Sequence, residues 1–455
     1  MENRGVIKPM LGTHYPMISH GKGIYLYDDQ GKQYIDGSSG AVTVNIGHGV
    51  DEIAMAMAEQ ASKVAFVYRS HFTSQAAERL ANKLADLAPG DLNWTFFVNS
   101  GSEATETALK IAIQYFQEQG ITSKTKILSR WTSYHGITLG ALSMSGHLMR
   151  RARFTDLLED FPAVSAPYCY RCPFHSTYPG CGLQCGEDLE RAILEIGAEN
   201  IAAFIFEPII GAAGGAIAPP PGYYEKIQEI CHKYNIVTIA DEVMTGMGRT
   251  GKLFGVNHWN MTPDIMTLGK GLSAGYTPMA ATIVSDRIIS VIKQGTKSVM
   301  SGHTFSANPL SAAACCAVLD YVESHHLVHN SEARGEEMIT GLKELMMKYA
   351  IIGDVRGKGL MVGVEFVSDL MTHRPFPAEA KVGEQFLSIC FEKGLIVYPA
   401  FGGVRGYEGD SIMIAPPLVV TSAQVKEILN IMDESLSELM TRLIASGRYE
   451  HKASS

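Results

Sequence analysis

The chain has 455 residues, more than one ordinary domain of about 100–200 residues, so a large domain with a smaller companion is expected. A 46% hydrophobic share is enough to fill sizeable cores, and a formal charge of -9 argues against a nucleic-acid partner. No stretch approaches the ~20 apolar residues needed to cross a bilayer, and the first twelve residues lack an apolar signal core, so no membrane association and a cytoplasmic location are expected.

In chain order, Gly23 to Asp36 alternates apolar residues around an Asp-Asp-Gln-Gly turn and reads as a hairpin. From about Ser74 to Val322 short apolar runs alternate with helical patterns, the signature of an α/β protein with a mostly parallel sheet and crossover helices. After about Glu323, helices surround a strand pattern at Gly359 to Phe366, expected to join the hairpin in a smaller α+β domain. The expected division is 1–65 and 323–455 for the two parts of the small domain, and 66–322 for the large one.

Within the large domain, Phe96 to Val98 runs into Ser100, Gly101 and Ser102, and Ala104, Ala108 and Tyr115 then recur at helical spacing. Those residues would sit at a helix N-terminus, where free amides, the dipole and two hydroxyls favour a phosphate. A plain Ser N-cap with Glu103 in the first turn fits the same residues. The basic run Arg150, Arg151 and Arg153 reads as a solvated helix face, with a place beside a phosphate or acidic substrate as the alternative. The β-branched run from Ile236 ends in Asp241 and Glu242; acids at such a strand end face a ligand crevice or cap the next helix. Lys270 follows the apolar run Ile265 to Leu268 and stands between Gly269 and Gly271, a setting that lets a flat cofactor approach a lysine stem.

Four of the eight cysteines, Cys169, Cys172, Cys181 and Cys185, cluster in one loop. Their spacing admits thiolate ligation of zinc, with His175 as a substitute ligand, or four small loop residues; no metal is assigned. Cys231, Cys315, Cys316 and Cys390 read as helix core residues.

Eight blocks together resemble the class III, fold-type I pyridoxal-phosphate aminotransferases, the group that includes the ω-transaminases. They are Asn45 to Gly49, Asn99 to Ala104, Tyr134 to Gly136, Phe206 to Pro208, Asp241 to Val243, Leu268 to Gly271, Gly302 to Phe305, and Ala415 to Leu418, in the family's order. The resemblance implies pyridoxal 5'-phosphate as cofactor. Lys270 would bond to it covalently and then move the substrate proton. Asp241 would hold the ring nitrogen, Val243 and Tyr134 its two faces, and Ser100, Gly101 and Ser102 its phosphate. His135 would bind beside the ring, and Glu207 near the ring hydroxyl and the Asp241 network. Tyr134 as a half-buried core aromatic and Glu207 as a structural acid are the plainer readings. Thr304 would reach the phosphate of a partner subunit, making the enzyme a homodimer, with a tetramer also open.

For the substrate, Val42 stands where amine-type relatives carry a bulky Trp, which implies a roomier pocket. Arg405, among glycines, resembles a mobile carboxylate-binding arginine, or is a surface residue on a flexible loop. Ala212 and Ala213 replace the glutamate gate of glutamate-using members. The implied reaction is a ping-pong transfer from an ω-amino acid or amine to a keto acid, with pyruvate favoured. A decarboxylating transaminase, an epimerase or an aminomutase would share the cofactor residues, and a non-catalytic cofactor- or zinc-stabilised binding protein is the reading from outside the enzymes.

Overall fold

A computed structural model describes residues 5–404 and 406–449. Its centre is a seven-stranded sheet in the order Trp94–Val98, Ala280–Val284, Ile265–Leu268, Val237–Asp241, Ile201–Phe206, Lys126–Arg130, Ala163–Val164. Ala280–Val284 runs antiparallel to both neighbours, and the remaining pairs are parallel. Every strand but Ala280–Val284 therefore delivers its carboxyl end to the same edge.

Helices cover both faces, which is why the central strands are apolar throughout rather than alternating with polar residues. Ala203 and Ile205 pack towards Ala108, Ile111 and Tyr115 of the helix Gly101–Gln117, while Phe204 and Phe206 point the other way, to Tyr224 and Ile227. The period-2 strand geometry sends each neighbour to a different core.

The N-terminal hairpin pairs Tyr25–Asp28 with Gln33–Asp36, and its sheet is completed by Leu395–Ile396. Met361–Phe366 pairs with Ile352–Lys358 and Asp410–Ile414 in a separate sheet. The two sheets share one core, in which Ile24 and Ile35 join Val362, Phe366, Ile389 and Leu436. A sequence pattern reveals a strand but not its partner, because pairing is settled by which edge the intervening helices leave open.

One buried cation ties the large sheet to both terminal regions. The Arg249 guanidinium donates to the Leu360 and Pro416 carbonyls (3.1 and 2.5 Å), the Ser39 hydroxyl (3.0 Å) and Asn45 Oδ1 (2.8 Å). Burial lowers its pKa to about 9, with Asp36 opposing the shift. Asn45 in turn donates to Met247 O, and its amide lies where a Cβ on Gly271 would come within 2.2 Å. Gly271 is thus required by the close approach of the N-terminal segment to the lysine turn.

Arg249→Met is expected to destabilise the protein by about 2–4 kcal/mol, the range for stranding several buried acceptors. The denaturant midpoint measures this, and an unchanged midpoint would mean that those carbonyls find other donors.

Candidate functional site

The aligned carboxyl ends bring the chemistry together. Asp241 closes its strand in register with Thr267 of the neighbour, so the Thr267 hydroxyl donates to Asp241 Oδ1 at 3.1 Å. The Val243 amide donates to the same oxygen at 3.1 Å. Asp241 Oδ2 lies 2.7 Å from His135 Nδ1, and both residues are buried. His135 is held in turn: its amide donates to the Ser145 hydroxyl (2.8 Å) and its carbonyl accepts from Thr105 (2.8 Å). His135 Nε2 is a buried polar atom without a partner among the described residues.

Glu207 ends the next strand and accepts from the Tyr134 amide (3.0 Å) and the Gly211 amide (2.8 Å). Burial raises its pKa, opposed by His135 and reinforced by Asp241. Glu242 serves the fold: it accepts from Thr245 (2.5 Å) and from the Gly255 and Val256 amides (2.8 Å each), capping the turn Gly255–Trp259. Burial pushes its pKa up to about 7.

Lys270 opens a 3-10 turn with φ 43 directly after the strand Ile265–Leu268. Among the described residues its ammonium has no hydrogen-bond or ion-pair partner. Desolvation lowers its pKa to about 8, against the pull of Asp241 and Glu207 and with a push from Arg150 and Arg249.

Ser100 caps the helix Gly101–Gln117 by accepting from the Glu103 amide at 3.3 Å. The plain cap is therefore real, yet the amides of Gly101 and Ser102 keep no acceptor among the described residues, as first-turn amides do. Val243 stands between this helix start and the lysine turn: a Cβ on Gly101 would come within 2.9 Å of its Cγ1, and one on Gly269 within 3.2 Å. The Ser102 hydroxyl accepts from the Ile137 amide at 3.0 Å, tying in the loop that carries Tyr134 and His135.

Lys270, Asp241, His135, Glu207, Val243, Tyr134, Ser100, Gly101 and Ser102 thus converge. Val42 is fully buried at φ 58 in the core of the large sheet. Thr304 is exposed, on the turn whose His303 lies 3.8 Å from Glu103. Arg405 lies outside the described residues. All eight cysteines are free; Cys169, Cys172, Cys181 and Cys185 line one small cavity. Among the described residues no group of three or more His, Cys, Asp or Glu side chains is arranged to hold a metal ion.

The basic run departs from the expected solvated face. Arg151 donates to the carbonyls of Leu142, Ser143 and Ser145 (3.0, 2.9 and 2.9 Å), and the Arg150 guanidinium lies 4.4 Å from the Tyr134 ring centroid. Only Arg153 is exposed. Nothing in the charge pattern signals this separation.

An unpartnered amine, a carboxylate anchored by an imidazole, two free amides at a helix start and a Val–Tyr pair suit a flat, phosphorylated, nitrogen-containing ring. The donor set fits pyridoxal phosphate. The fold is that of the fold-type I pyridoxal-phosphate transaminases, a mixed α/β architecture around a large central sheet. The chain belongs to the class-III aminotransferases, whose family description, "Aminotransferase class-III", matches residues 10–436. Members of that family use pyridoxal phosphate. An uncharacterized aminotransferase of Bacillus subtilis, YodT, is 52% identical over 96% of this chain and 98% of its own. A solved (S)-enantioselective omega-transaminase from Thermomicrobium roseum is 37% identical, with a TM-score of 0.88 over 94% of this chain and 93% of that one. A transaminase from the marine bacterium Virgibacillus is 35% identical, with a TM-score of 0.89 and 95% of both chains covered. No helix among the described residues is long and apolar enough to cross a membrane.

In the cofactor-free protein, labelling of Lys270 by an amine-reactive reagent is expected to rise through a midpoint near 8, because the neutral amine reacts and burial favours it. A midpoint at the ordinary lysine value of 10.5 would contradict the desolvated setting.

Proposed function

We propose that this aminotransferase moves an amino group from an ω-amino acid or amine to a keto acid, with pyruvate as the favoured acceptor. The observation that carries the reading is the unpaired Lys270 amine, lowered to about 8, at the same sheet edge as Asp241 and His135. When bound, pyridoxal phosphate supplies a ring that absorbs the electrons released from the donor carbon. Asp241 would keep the ring nitrogen protonated, and the His135 and Thr267 contacts hold its carboxylate in place. Val243 and Tyr134 would hold the ring, and the Gly101 and Ser102 amides with the Ser100 and Ser102 hydroxyls would take the phosphate. With the cofactor bound, Lys270 Nζ would take the donor proton and give it back; an amine near pKa 8 has an accessible neutral form for that task. Glu207 orients Tyr134 through its amide.

Thr304 completes the phosphate site from a second copy of the chain. Exposed Phe66, Phe72, Met300 and Phe305 around its turn support a homodimer covering this surface. Val42 and Arg405 belong to the substrate pocket in this reading. Pyruvate is favoured because buried Ala212 and Ala213 carry no acid that could gate an arginine for glutamate. The division into 1–65, 66–322 and 323–455 and a cytoplasmic location remain part of the proposal.

Lys270→Ala is expected to lower turnover by about 10³-fold or more while leaving the fold intact. Reconstitution with pyridoxal phosphate, single donors without acceptor, and the visible cofactor band with product analysis provide the test. Bleaching with release of the matching carbonyl compound names the donor. Loss of carbon dioxide or of chirality without bleaching assigns the decarboxylating or epimerising chemistry instead, and normal multiple turnover by Lys270→Ala would overturn the assignment.

Asp241→Asn, nearly isosteric, is expected to reduce turnover by about 10²-fold or more, within the range for a misplaced proton at a catalytic centre. Parallel kinetics on the cofactor-saturated variant check this; wild-type turnover would remove Asp241 from the ring.

A further inference from the structure

Arg150 is a cation that the cofactor site does not use. It sits on the one-turn helix Leu148–Arg151, half-buried, with its guanidinium over the Tyr134 ring at 4.4 Å. Tyr398, from the C-terminal region, lies close enough for the Arg150 guanidinium to oppose the rise that burial gives its pKa. Its field reaches Lys270, whose ammonium it disfavours. Two other partly buried arginines have an acid: Arg171 and Arg356 both bond to Glu365, at 2.5 and 2.8 Å. Arg150 has no ion pair among the described residues. The one-turn helix is also the seat of the glycine-rich loop, since Cβ atoms on Gly402 and Gly406 would meet Met149 Sδ at 2.9 Å and Leu148 at 2.2 Å.

We propose that Arg150, oriented by the Tyr134 ring, binds the carboxylate of the substrate, so that the preferred donors are ω-amino acids rather than simple amines. This rests on the transaminase reading and deepens it. A guanidinium taken partly out of water without an acid is left short of compensation, and an arriving carboxylate supplies it through two parallel hydrogen bonds. Stacking on a tyrosine face keeps the planar fork aimed while leaving its N–H edges free, which an ammonium could not match. The same Tyr134 would hold the cofactor ring, so the carboxylate end of the substrate and the reacting end would be registered on one side chain.

The holoenzyme tests this in two ways. In kinetics with ω-amino acids and n-alkylamines of matched length, Arg150→Met, which keeps an apolar cover over Tyr134, should cut kcat/KM for the amino acids by about 10- to 100-fold, the range for lost hydrogen bonds to a charged group. The loss should appear mainly in KM and be much smaller for the amines, with Arg150→Lys intermediate. In calorimetry, butanoate, which cannot be transaminated, should bind the wild type and lose affinity by the same factor in Arg150→Met. Equal losses for amines and amino acids would show that Arg150 only props the tyrosine, and unchanged butanoate binding would likewise overturn the proposal. A wild type that binds butanoate through Arg150 yet converts no donor would sink the transaminase reading and leave the anchor standing.

Discussion

The Asp241–His135 contact is the constraint on which the rest of the site depends. A carboxylate buried at a strand end is costly unless several donors converge on it. Here they come from three different elements: Thr267 on the adjacent strand, the Val243 amide of the following turn, and His135 from a loop more than a hundred residues earlier. Satisfying one acid therefore fixes the relative positions of the strand, the lysine turn and the Tyr134 loop. Pre-organisation of this kind is what an electron-absorbing ring needs, since its electronic state depends on a proton held at one atom.

The parallel sheet makes such convergence inexpensive. Neighbouring parallel strands end side by side, so Asp241, Glu207 and the Lys270 turn arrive at one edge without any long-range search. The core on either face then locks the register, because a one-residue slip would turn Phe204 and Phe206 into the wrong layer. Charge is distributed unevenly across that edge. Acids with raised or anchored character lie on the sheet side, while Lys270, Arg150 and Arg249 are cations with few or no acid partners. Cations so placed lower the cost of a neutral lysine.

Arg249 and Asn45 carry a related lesson about the small sheets. The central sheet does not finish its own site: the turn after Gly269 is shaped by Asn45 from the N-terminal region, and the Arg249 guanidinium finds its acceptors at the Leu360 and Pro416 carbonyls. The site is therefore a property of the whole chain rather than of the central sheet alone.

Local chemistry was legible in the sequence. Strand ends rich in acids, a Ser-Gly-Ser helix start and a lysine between glycines express short-range rules, because backbone register and helix capping depend on residues within a few positions. The central sheet, its helices and the family followed from those patterns in order. What only the tertiary structure decided depends on long-range packing. The strand Met361–Phe366 took a different sheet from the hairpin, Glu242 became a structural cap, and Gly271 owed its identity to a distant asparagine. Arg150, Arg151 and Arg153 separated into a ring-stacked cation, a carbonyl-bound cation and a solvated one. Charge patterns one turn long carry no record of which distant surface will cover them, so burial and partner, and with them the role of each side chain, are settled only when the chain has folded.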